Sequence, residues 1–333
     1  MNLKVVFFGT PDFAIPALEF CHINSNLVLC VSQPNKARGR GQEILPSPVS
    51  AWALKNSVEI ATPQSLKESH PEGAQFKGLL ENLAPDLIFV VAYGRIIPTW
   101  LLDLPKLGCV NIHASLLPLW RGAAPIQRSI EAGDSVTGVS LQKMVLELDA
   151  GDVLLEKPLP IGFNENAFSL SKRLSKLGGE LLGELFDNLK TSGKLPPGKS
   201  QEPLKVSFAK KIEKSEGLWN PSWTSKQTNN RVRAFFSWPQ VALNLPKPFG
   251  NLKLIDCIPV KTPLPKNLKH PAVFEDNGHF FLSCEVRAGE KAPDDALVEL
   301  LEVKPESKKA MPAKAFFSNL KSYLPVTPLM EAK

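Results

Sequence analysis

Short, largely apolar runs separated by helical segments constrain the fold of this chain more than any other feature. The runs lie at residues 3–8, 27–31, 86–92 and 110–114, and small or polar residues follow each of them. Runs of this length are typical of strands buried on both faces of a parallel sheet and joined by right-handed crossovers. Such sheets bind ligands at the carboxyl ends of their strands. We therefore expect an α/β domain whose loops after Phe8, Ala92 and His113 share one rim.

The pattern changes after a linker-like segment rich in proline and glycine, GKLPPGKSQEP, which begins at residue 193. Beyond residue 206, short alternating strands are predicted at 240–245, 252–259 and 279–286, with an amphipathic segment at 225–236. Closely spaced short strands favour a small all-β barrel, for which the open five-stranded oligonucleotide-binding type is one candidate. The predicted division is a first domain at 1–192, a linker at 193–205 and a second domain at 206–333.

The charge of +6 is distributed unevenly along the 333 residues. Residues 204–333 contain 20 Lys and Arg against 13 Asp and Glu, a balance of +7, and the remainder contains 19 against 20, a balance of −1. A basic module joined to a near-neutral one is typical of a protein with a polyanionic partner. A solvated lysine-rich surface explains the same balance equally well.

Composition excludes several classes of protein. Apolar residues make up 43% and charged residues 22% of the chain, which is typical of a soluble globular protein, and no apolar run is long enough to span a membrane. The amino terminus predicts a first strand rather than a signal peptide. The five cysteines form no CxxC pair, so we expect reduced thiols in a cytoplasmic protein, with neither disulfides nor a zinc site. We expect a monomer.

Two glycine-containing segments bear on phosphate binding. GTPDFA, at residues 9–14, matches neither a dinucleotide fingerprint nor a Walker sequence, which disfavours a dinucleotide or ATP site. Residues 33–49 form a long polar segment with three cations, Lys36, Arg38 and Arg40. We interpret this segment as a loop that either contacts phosphates or is an ordinary solvated loop.

The stretch CVNIHASLLPLWRGAAP, at residues 109–125, is the strongest candidate for a catalytic site. Alternation along a strand points Asn111 and His113 to the same face, where both can converge on one substrate atom. The alternative is a capping asparagine and a core histidine satisfied by hydrogen bonds. Asp149, within the sequence LDAGD, is flanked by apolar runs that hold it near the core, although an aspartate in such a turn can be a turn former only.

These blocks together resemble those of the methionyl-tRNA formyltransferases, a family that uses 10-formyltetrahydrofolate. The resemblance covers nearly the whole chain and is carried by GTPDFA, the 38–49 segment, VVAYGRIIP at 90–98, NIHASLLPLWRGAAPIQRSI at 111–130 and LDAGDVL at 148–154. The inserted loop and the carboxyl-terminal module distinguish the tRNA-using enzymes from their shorter relatives.

The resemblance implies a Rossmann-like formyltransferase domain with a mostly parallel sheet, followed by an open barrel that binds tRNA. It implies that Asn111, His113 and Asp149 are catalytic and that the 33–49 loop, with Lys36, Arg38 and Arg40, contacts the acceptor stem of methionyl initiator tRNA. The folate is a consumed cosubstrate, and neither a tightly bound cofactor nor a metal is expected. The residues implied for the folate pocket are Val91, Ala92, Tyr93, Gly94, Ser115, Leu116, Leu117 and Pro118.

The chemistry of these residues fits formyl transfer through a tetrahedral intermediate. Asn111 and a protonated His113 can donate hydrogen bonds to the oxyanion, and Asp149 can take a proton from the attacking amine. Three alternatives remain open at this point. They are a formyltransferase for a small acceptor, a hydrolase of the same folate, and a non-enzymatic RNA-binding protein, which would leave NIHASLLP and LDAGD without a role.

Overall fold

The computed structural model of this chain describes residues 2–38, 43–262, 265, 268–284 and 296–329. Arg40 and the last residues of the predicted strand at 279–286 lie outside this set. The chain divides into two compact units that interleave along the sequence. Unit 1 comprises Met1–Pro125, Val136–Pro160 and Leu170–Lys210, and unit 2 comprises Ile126–Ser135, Ile161–Ser169 and Lys211–Lys333.

The described strands and helices are as follows, in chain order. The strands are β1 Lys4–Gly9, β2 Asn26–Val31, β3 Lys36–Arg38, β4 Glu43–Leu45, β5 Ile60–Ala61, β6 Leu87–Val91, β7 Cys109–His113, β8 Arg121–Gly122, β9 Val136–Lys143, β10 Val153–Pro160, β11 Phe208–Ala209, β12 Val241–Leu245, β13 Gly250–Val260, β14 Val273–Asp276, β15 His279–Ser283, β16 Leu297–Pro305 and β17 Met311–Pro312. The helices are α1 Ile15–Asn24, α2 Pro48–Lys55, α3 Pro71–Leu83, α4 Thr99–Leu102, α5 Pro125–Ala132, α6 Ala167–Ser192, α7 Ser225–Ala234 and α8 Ala313–Phe317.

The main sheet of unit 1 has the order β10-β9-β7-β6-β1-β2-β5. The strands from β7 to β5 are parallel to one another, whereas β9 runs antiparallel to β7 and β10 antiparallel to β9. The four strands predicted from apolar runs are β1, β2, β6 and β7. The α/β class with a mostly parallel sheet is therefore confirmed.

Helices cover both faces of this sheet, and this explains why its strands are apolar on both sides. On one face, Phe8 of β1 packs edge-on against Phe76 of α3, with ring centroids 6.1 Å apart. On the other face, Phe89 of β6 stacks on Phe186 of α6 at 6.0 Å. All four rings are buried, and each contributes on the order of 1.5–3 kcal/mol to folding through burial.

Unit 2 contains an antiparallel sheet in the order β12-β13-β16-β15-β14, with β17 paired to β16. Helix α7 lies against this sheet, where Asn229 Nδ2 donates to the carbonyl of Cys257 at 2.6 Å. The predicted strands at 240–245 and 252–259 are β12 and β13, and the described part of 279–286 is β15. The expected all-β second domain is thus confirmed.

The compact units differ from the predicted division into 1–192, 193–205 and 206–333. Residues 126–135 and 161–169 cluster with unit 2, where the Arg128 guanidinium pairs with the carboxylate of Glu216. Composition marks a change of pattern along the chain, but contacts between distant segments decide which residues pack together. The predicted boundaries remain a prediction about functional domains.

The predicted linker belongs in large part to unit 1. Lys199 forms a two-way backbone bridge with Val153, and β11 pairs in parallel with β8. We call residues 199–210 the strap. Proline and glycine in this segment correctly indicated irregular structure, yet its backbone hydrogen-bonding groups are satisfied by the loops beside β8 and β10.

The described part of the polar segment 33–49 contains regular structure where a loop was predicted. Its described part contains the antiparallel pair β3–β4 and the start of α2 at Pro48. The side chain of Ser47 caps α2 by accepting a hydrogen bond from the backbone N–H of Ser50 at 3.0 Å. Among the described residues, no helix is both long and apolar enough to cross a bilayer.

Candidate active site

Asn111 and His113 lie two residues apart on β7 and therefore on the same face of the sheet. Both reach the carboxylate of Asp149. Asn111 Nδ2 donates to Asp149 Oδ1 at 3.2 Å, and His113 Nδ1 lies 3.7 Å from Asp149 Oδ2. The side chains of His113 and Asp149 are only 6% and 9% exposed. The fold thus brings the three predicted catalytic side chains together at the end of a strand.

Three donors hold the carboxylate of Asp149. Besides Asn111, Gln142 Nε2 donates to Oδ1 at 2.9 Å, and the backbone N–H of Gly122 donates to Oδ2 at 2.9 Å. Gln142 lies on β9 directly opposite Asn111. A carboxylate that accepts hydrogen bonds on both oxygens from three elements has one well-defined orientation.

The backbone at Asp149 is held in an unusual conformation. Its φ is +50°, in the left-handed region that disfavours residues other than glycine. Gln201 Nε2 donates to the carbonyls of Asp149 at 2.8 Å and Gly151 at 2.7 Å. A Cβ at Gly151 would lie 1.7 Å from the carbonyl oxygen of Lys143, so this turn requires glycine there. The LDAGD sequence therefore needs its glycine for close packing against the end of β9.

His113 has one ring nitrogen committed to the backbone. His113 Nε2 lies 2.9 Å from the carbonyl oxygen of Trp120, and because a carbonyl only accepts, Nε2 carries the hydrogen of this bond. His113 Nδ1, which faces Asp149, is then the nitrogen that can gain or lose a proton. The catalytic role of His113 stays a prediction, which this contact with Asp149 supports.

The carbonyl that holds His113 is itself anchored by the strap. Trp120 has a φ of +62°, and its N–H donates to Ser207 Oγ at 2.9 Å. The neighbouring N–H of Arg121 donates to the Ser207 carbonyl, also at 2.9 Å. Residues of the predicted linker region and its continuation therefore support the histidine as well as the aspartate.

The first segment predicted for the folate pocket, residues 91–94, follows β6 on the rim. Tyr93 is buried and packs edge-on against Phe8 at 5.2 Å, so its ring belongs to the core. Ala92 and Gly94 are exposed and both have positive φ, 48° and 78°. This segment consequently presents backbone groups, rather than the tyrosine ring, to the rim.

Side chains that follow β1 and β2 donate hydrogen bonds to the backbone of this segment. The carbonyl of Tyr93 accepts from Thr10 Oγ1 at 3.2 Å and from Gln33 Nε2 at 2.7 Å. A Cβ added at Gly94 would lie 2.6 Å from Gln33 Nε2. The loops after β1, β2 and β6 therefore meet, which agrees with the shared rim predicted for the loops after Phe8 and Ala92.

The second predicted folate segment, Ser115 to Pro118, forms a turn that leads from β7 toward β8. Ser115 and Leu117 are buried, whereas Leu116 and Pro118 are partly exposed. Ser140 Oγ donates to the Ser115 carbonyl at 2.8 Å and accepts from the Leu117 N–H at 3.0 Å. The turn is thus fixed to β9, and it is the partly exposed pair that can reach a ligand.

The predicted tRNA-contacting cations are placed only in part. Lys36 and Arg38 lie on β3, the first strand of the β3–β4 hairpin, and Arg40 lies outside the described residues. Across the described ranges, no group of three or more His, Cys, Asp and Glu side chains is arranged to hold a metal ion.

Sequence reasoning missed several residues that shape this site. Gln142 was not among the predicted site residues, and Gln201 lay in the predicted linker. The N–H of Gly122 could not be foreseen, because it depends on the path of the loop after β7. The one signal available in the sequence was a glutamine that follows Val139 and Leu141 in alternation, since a glutamine in a buried strand needs a polar partner.

Comparison with known proteins identifies the family. Residues 2–185 match the sequence profile described as formyl transferase, and residues 211–321 match the profile of its carboxyl-terminal domain. The chain is 39% identical to the methionyl-tRNA formyltransferase of Methylococcus capsulatus over 317 residues, which is 95% of this chain and 96% of the relative. The chain belongs to the methionyl-tRNA formyltransferase family. The resemblance stated from sequence motifs is therefore confirmed.

Other members of the family agree with this assignment. The methionyl-tRNA formyltransferase of Bordetella pertussis is 43% identical over 248 residues, covering 73% of this chain and 79% of the relative. Solved structures are similar in fold alone. A sugar 3N-formyltransferase, WlaRD, superimposes with a TM-score of 0.63 at 18% identity and covers 93% of this chain and all of its own. HypX from Aquifex aeolicus, solved with tetrahydrofolic acid, reaches 0.59 at 15% identity and covers all of this chain but half of its own.

Proposed function

We propose that this protein transfers the formyl group of 10-formyltetrahydrofolate to the α-amino group of methionyl initiator tRNA, for translation initiation. The observation that carries the proposal is the convergence of Asn111, His113 and Asp149 at the end of β7, in a member of the methionyl-tRNA formyltransferase family. The trio supplies hydrogen-bond donors and a proton acceptor within one small volume. Formyl transfer to an amine requires both.

Asn111 and His113 stabilise the tetrahedral intermediate. The amide nitrogen of Asn111 carries two hydrogens, and one of them is donated to Asp149. The other is left for the formyl oxygen as negative charge develops on it. A protonated His113 Nδ1 is the second donor. A single well-placed donor of this kind contributes about 3–4 kcal/mol to the transition state.

Asp149 accepts the proton that the attacking amine loses. The neutral amine forms the new C–N bond, and its extra proton passes to the carboxylate directly or through water. The bond from the formyl carbon to N10 then breaks, and N10 receives a proton as tetrahydrofolate leaves. Because His113 Nδ1 lies 3.7 Å from Asp149 Oδ2, the proton taken from the amine can pass between these two groups.

Direct attack agrees with the state of the nearest thiol. Cys109 opens β7, but burial raises the pKa of its thiol to about 12, and its Sγ donates to the carbonyl of Leu101. A thiol with so high a pKa is a poor nucleophile at neutral pH. Cys109 is thus a poor candidate for carrying the formyl group, which supports the proposal that the amine attacks the folate directly.

The remaining predicted residues complete the proposal. The folate lies along the rim formed by residues 91–94 and 115–118, where exposed backbone can pair with a flat pterin. Lys36, Arg38 and Arg40, together with the basic residues beyond 204, contact the acceptor stem of the tRNA. We place the protein in the cytoplasm, as a monomer without a tightly bound cofactor or metal.

A radiolabelled formyl-transfer assay tests the proposal. The formyl-labelled folate is incubated with charged initiator tRNA, with a free methionyl ester, or with no acceptor. We expect transfer to the tRNA far above transfer to the ester, and no formate release without acceptor. Release of formate alone would identify a hydrolase, equal transfer to the ester a small-acceptor enzyme, and no turnover with tight tRNA binding a non-enzymatic RNA-binding protein.

A further inference from the structure

We infer that Gln201, in the segment predicted to be a linker, is a positioning residue for formyl transfer, because it fixes the turn that carries Asp149. The inference rests on the proposed function. Gln201 does not contact the carboxylate of Asp149. It acts on the backbone that aims this carboxylate at Asn111 and His113.

Every hydrogen-bonding end of the Gln201 side chain is engaged within unit 1. Its Nε2 donates to the carbonyls of Asp149 at 2.8 Å and Gly151 at 2.7 Å, and its Oε1 accepts from Arg121 Nε at 3.0 Å. The amide therefore bridges two backbone carbonyls of the turn between β9 and β10. Two donors to one turn restrain its position and its rotation.

Burial of side chains does little to hold the part of this turn that precedes Asp149. The side chains that precede Asp149 face solvent, with Val145 exposed by 46%, Leu146 by 68% and Leu148 by 67%. They contribute little burial that would hold the loop in place. Asp149 also adopts a φ of +50°, a conformation that costs on the order of 1–3 kcal/mol and persists only when the surroundings enforce it. The Gln201 amide, which holds the carbonyl of Asp149 itself, is one of the restraints that enforce it.

Arg121 sets the orientation of the Gln201 amide. Arg121 is 8% exposed, and a guanidinium can only donate, so the oxygen of the glutamine must face it. This leaves the NH₂ end facing the two carbonyls. A flipped amide would oppose donor to donor at Arg121 and acceptor to acceptor at Asp149, so only one orientation satisfies all three bonds.

The strap is anchored by hydrogen bonds on both sides of Gln201. Before it, Lys199 pairs with Val153 through backbone bonds of 2.8 and 2.9 Å. On the carboxyl-terminal side of Gln201, Ser207 Oγ accepts a hydrogen bond from the N–H of Trp120. The carbonyl of Trp120 in turn accepts from His113. Gln201 therefore lies on a restrained segment between the loop that carries Asp149 and the loop that carries Trp120, the hydrogen-bond partner of His113.

Two substitutions separate this role from a general structural one. Gln201→Leu removes all three hydrogen bonds. Gln201→Glu keeps an acceptor for Arg121 but loses both donors to the Asp149 turn. We expect both to lower kcat by about 10- to 100-fold, the scale of a misplacement near 1 Å, with the KM values for folate and tRNA changed less than about threefold. Ser200→Ala, which removes a hydrogen bond to Asp152 from the same strap, is the matched control and should retain wild-type kcat.

A double-mutant cycle with Asp149→Ala shows whether Gln201 acts through the aspartate. In the Asp149→Ala background, Gln201→Leu should leave the residual rate unchanged within about twofold, because residues that act as one unit are non-additive. Full additivity would overturn the inference, as would a wild-type kcat in Gln201→Glu. Circular dichroism and thermal denaturation identify a Leu variant that fails to fold, in which case the Glu variant decides. Absence of formyl transfer by the wild-type enzyme would instead refute the proposed function.

Discussion

Asn111 and Gln142 lie directly opposite each other on β7 and β9, and their side-chain amides donate to the same oxygen of Asp149. The arrangement leaves Gln142 Oε1 buried and, within the described residues, without a hydrogen-bond partner. An unsatisfied buried acceptor costs on the order of 1–3 kcal/mol. The protein therefore gives up stability in order to orient the carboxylate, which is common at functional sites.

Removal of the trio should abolish most of the activity while leaving the folate site intact. We expect His113→Ala and Asp149→Ala each to lower kcat by about two orders of magnitude or more, because each loses a donor or a proton acceptor in the transition state. Steady-state kinetics and calorimetric folate binding measure the two effects. Asp152→Ala, in the same turn, is the control, and near-normal kcat in a folded trio variant would refute the assigned roles.

Substitution of Gln142 should separate stability from activity. Gln142→Met fills similar volume without a polar group, so it removes both the unsatisfied oxygen and the bond to Asp149. We expect a melting temperature equal to or above that of the wild type, together with a fall in kcat of about threefold to tenfold. The fall is smaller than for Asp149→Ala because Asn111 and the N–H of Gly122 still hold the carboxylate. A variant with lower stability and unchanged kcat would contradict this account.

A side chain at Gly94 should weaken folate binding. Gly94 has a φ of +78°, and its added Cβ would displace the amide of Gln33 from the Tyr93 carbonyl. We expect Gly94→Ala to raise the Kd for folate, measured by calorimetry, by tenfold or more. A tenfold change corresponds to a loss of about 1.4 kcal/mol of binding free energy. Gly78→Ala, at a helical glycine with open space around it, is the matched control. Equal affinities in the two variants would place the folate elsewhere.

Arg40 should contribute to the choice of tRNA rather than to general affinity. Arg40 is flanked by Gly39 and Gly41, which allow the backbone to approach a stem closely. We expect Arg40→Leu to reduce formylation of initiator tRNA much more than formylation of poorly used tRNAs, so that the ratio of their kcat/KM values narrows. Arg173→Leu, an exposed arginine of α6, is the control for lost charge. An unchanged ratio in Arg40→Leu would show that selection resides elsewhere.

Acid should weaken unit 2 through Glu216. Two hydrogen bonds from Arg128, at 2.7 and 2.9 Å, lower the pKa of this carboxyl below its ordinary value. A lowered folded-state pKa contributes stability that is present above the unfolded pKa of about 4.3 and is lost as the pH falls through the folded value.

The variant Glu216→Gln tests this coupling. Urea titrations from about pH 7 to about pH 3.5 should show a difference in unfolding free energy between wild type and Glu216→Gln that is constant well above the unfolded pKa of about 4.3 and shrinks as the pH falls below that value. Glu202→Gln, at an exposed glutamate of the strap, serves as the control. A difference that stays constant with pH would mean that the Arg128 pair does not act through the charge of Glu216.

Local pattern was sufficient to predict four strands of the main sheet and the placement of two polar side chains on one of them. The strands β1, β2, β6 and β7 were predictable because strands buried between two layers of helices must be apolar along their whole length. The shared face of Asn111 and His113 followed from the two-residue period of a strand. Asp149 was assigned a catalytic role only through the resemblance of LDAGDVL to the family's motif, because an aspartate in a glycine turn can also be a turn former.

Contacts between distant segments were decided only by the tertiary structure. Gln201 lies 52 residues from Asp149, and Ser207 lies 87 residues from Trp120. Composition in the strap correctly indicated irregular backbone. Irregular backbone must still find hydrogen-bond partners for its polar groups. Which groups become those partners depends on the loops that the folded sheet places beside the strap. Local sequence therefore determined which residues form strands and turns, whereas the support of the catalytic groups arose from hydrogen bonds that exist only once those strands are assembled.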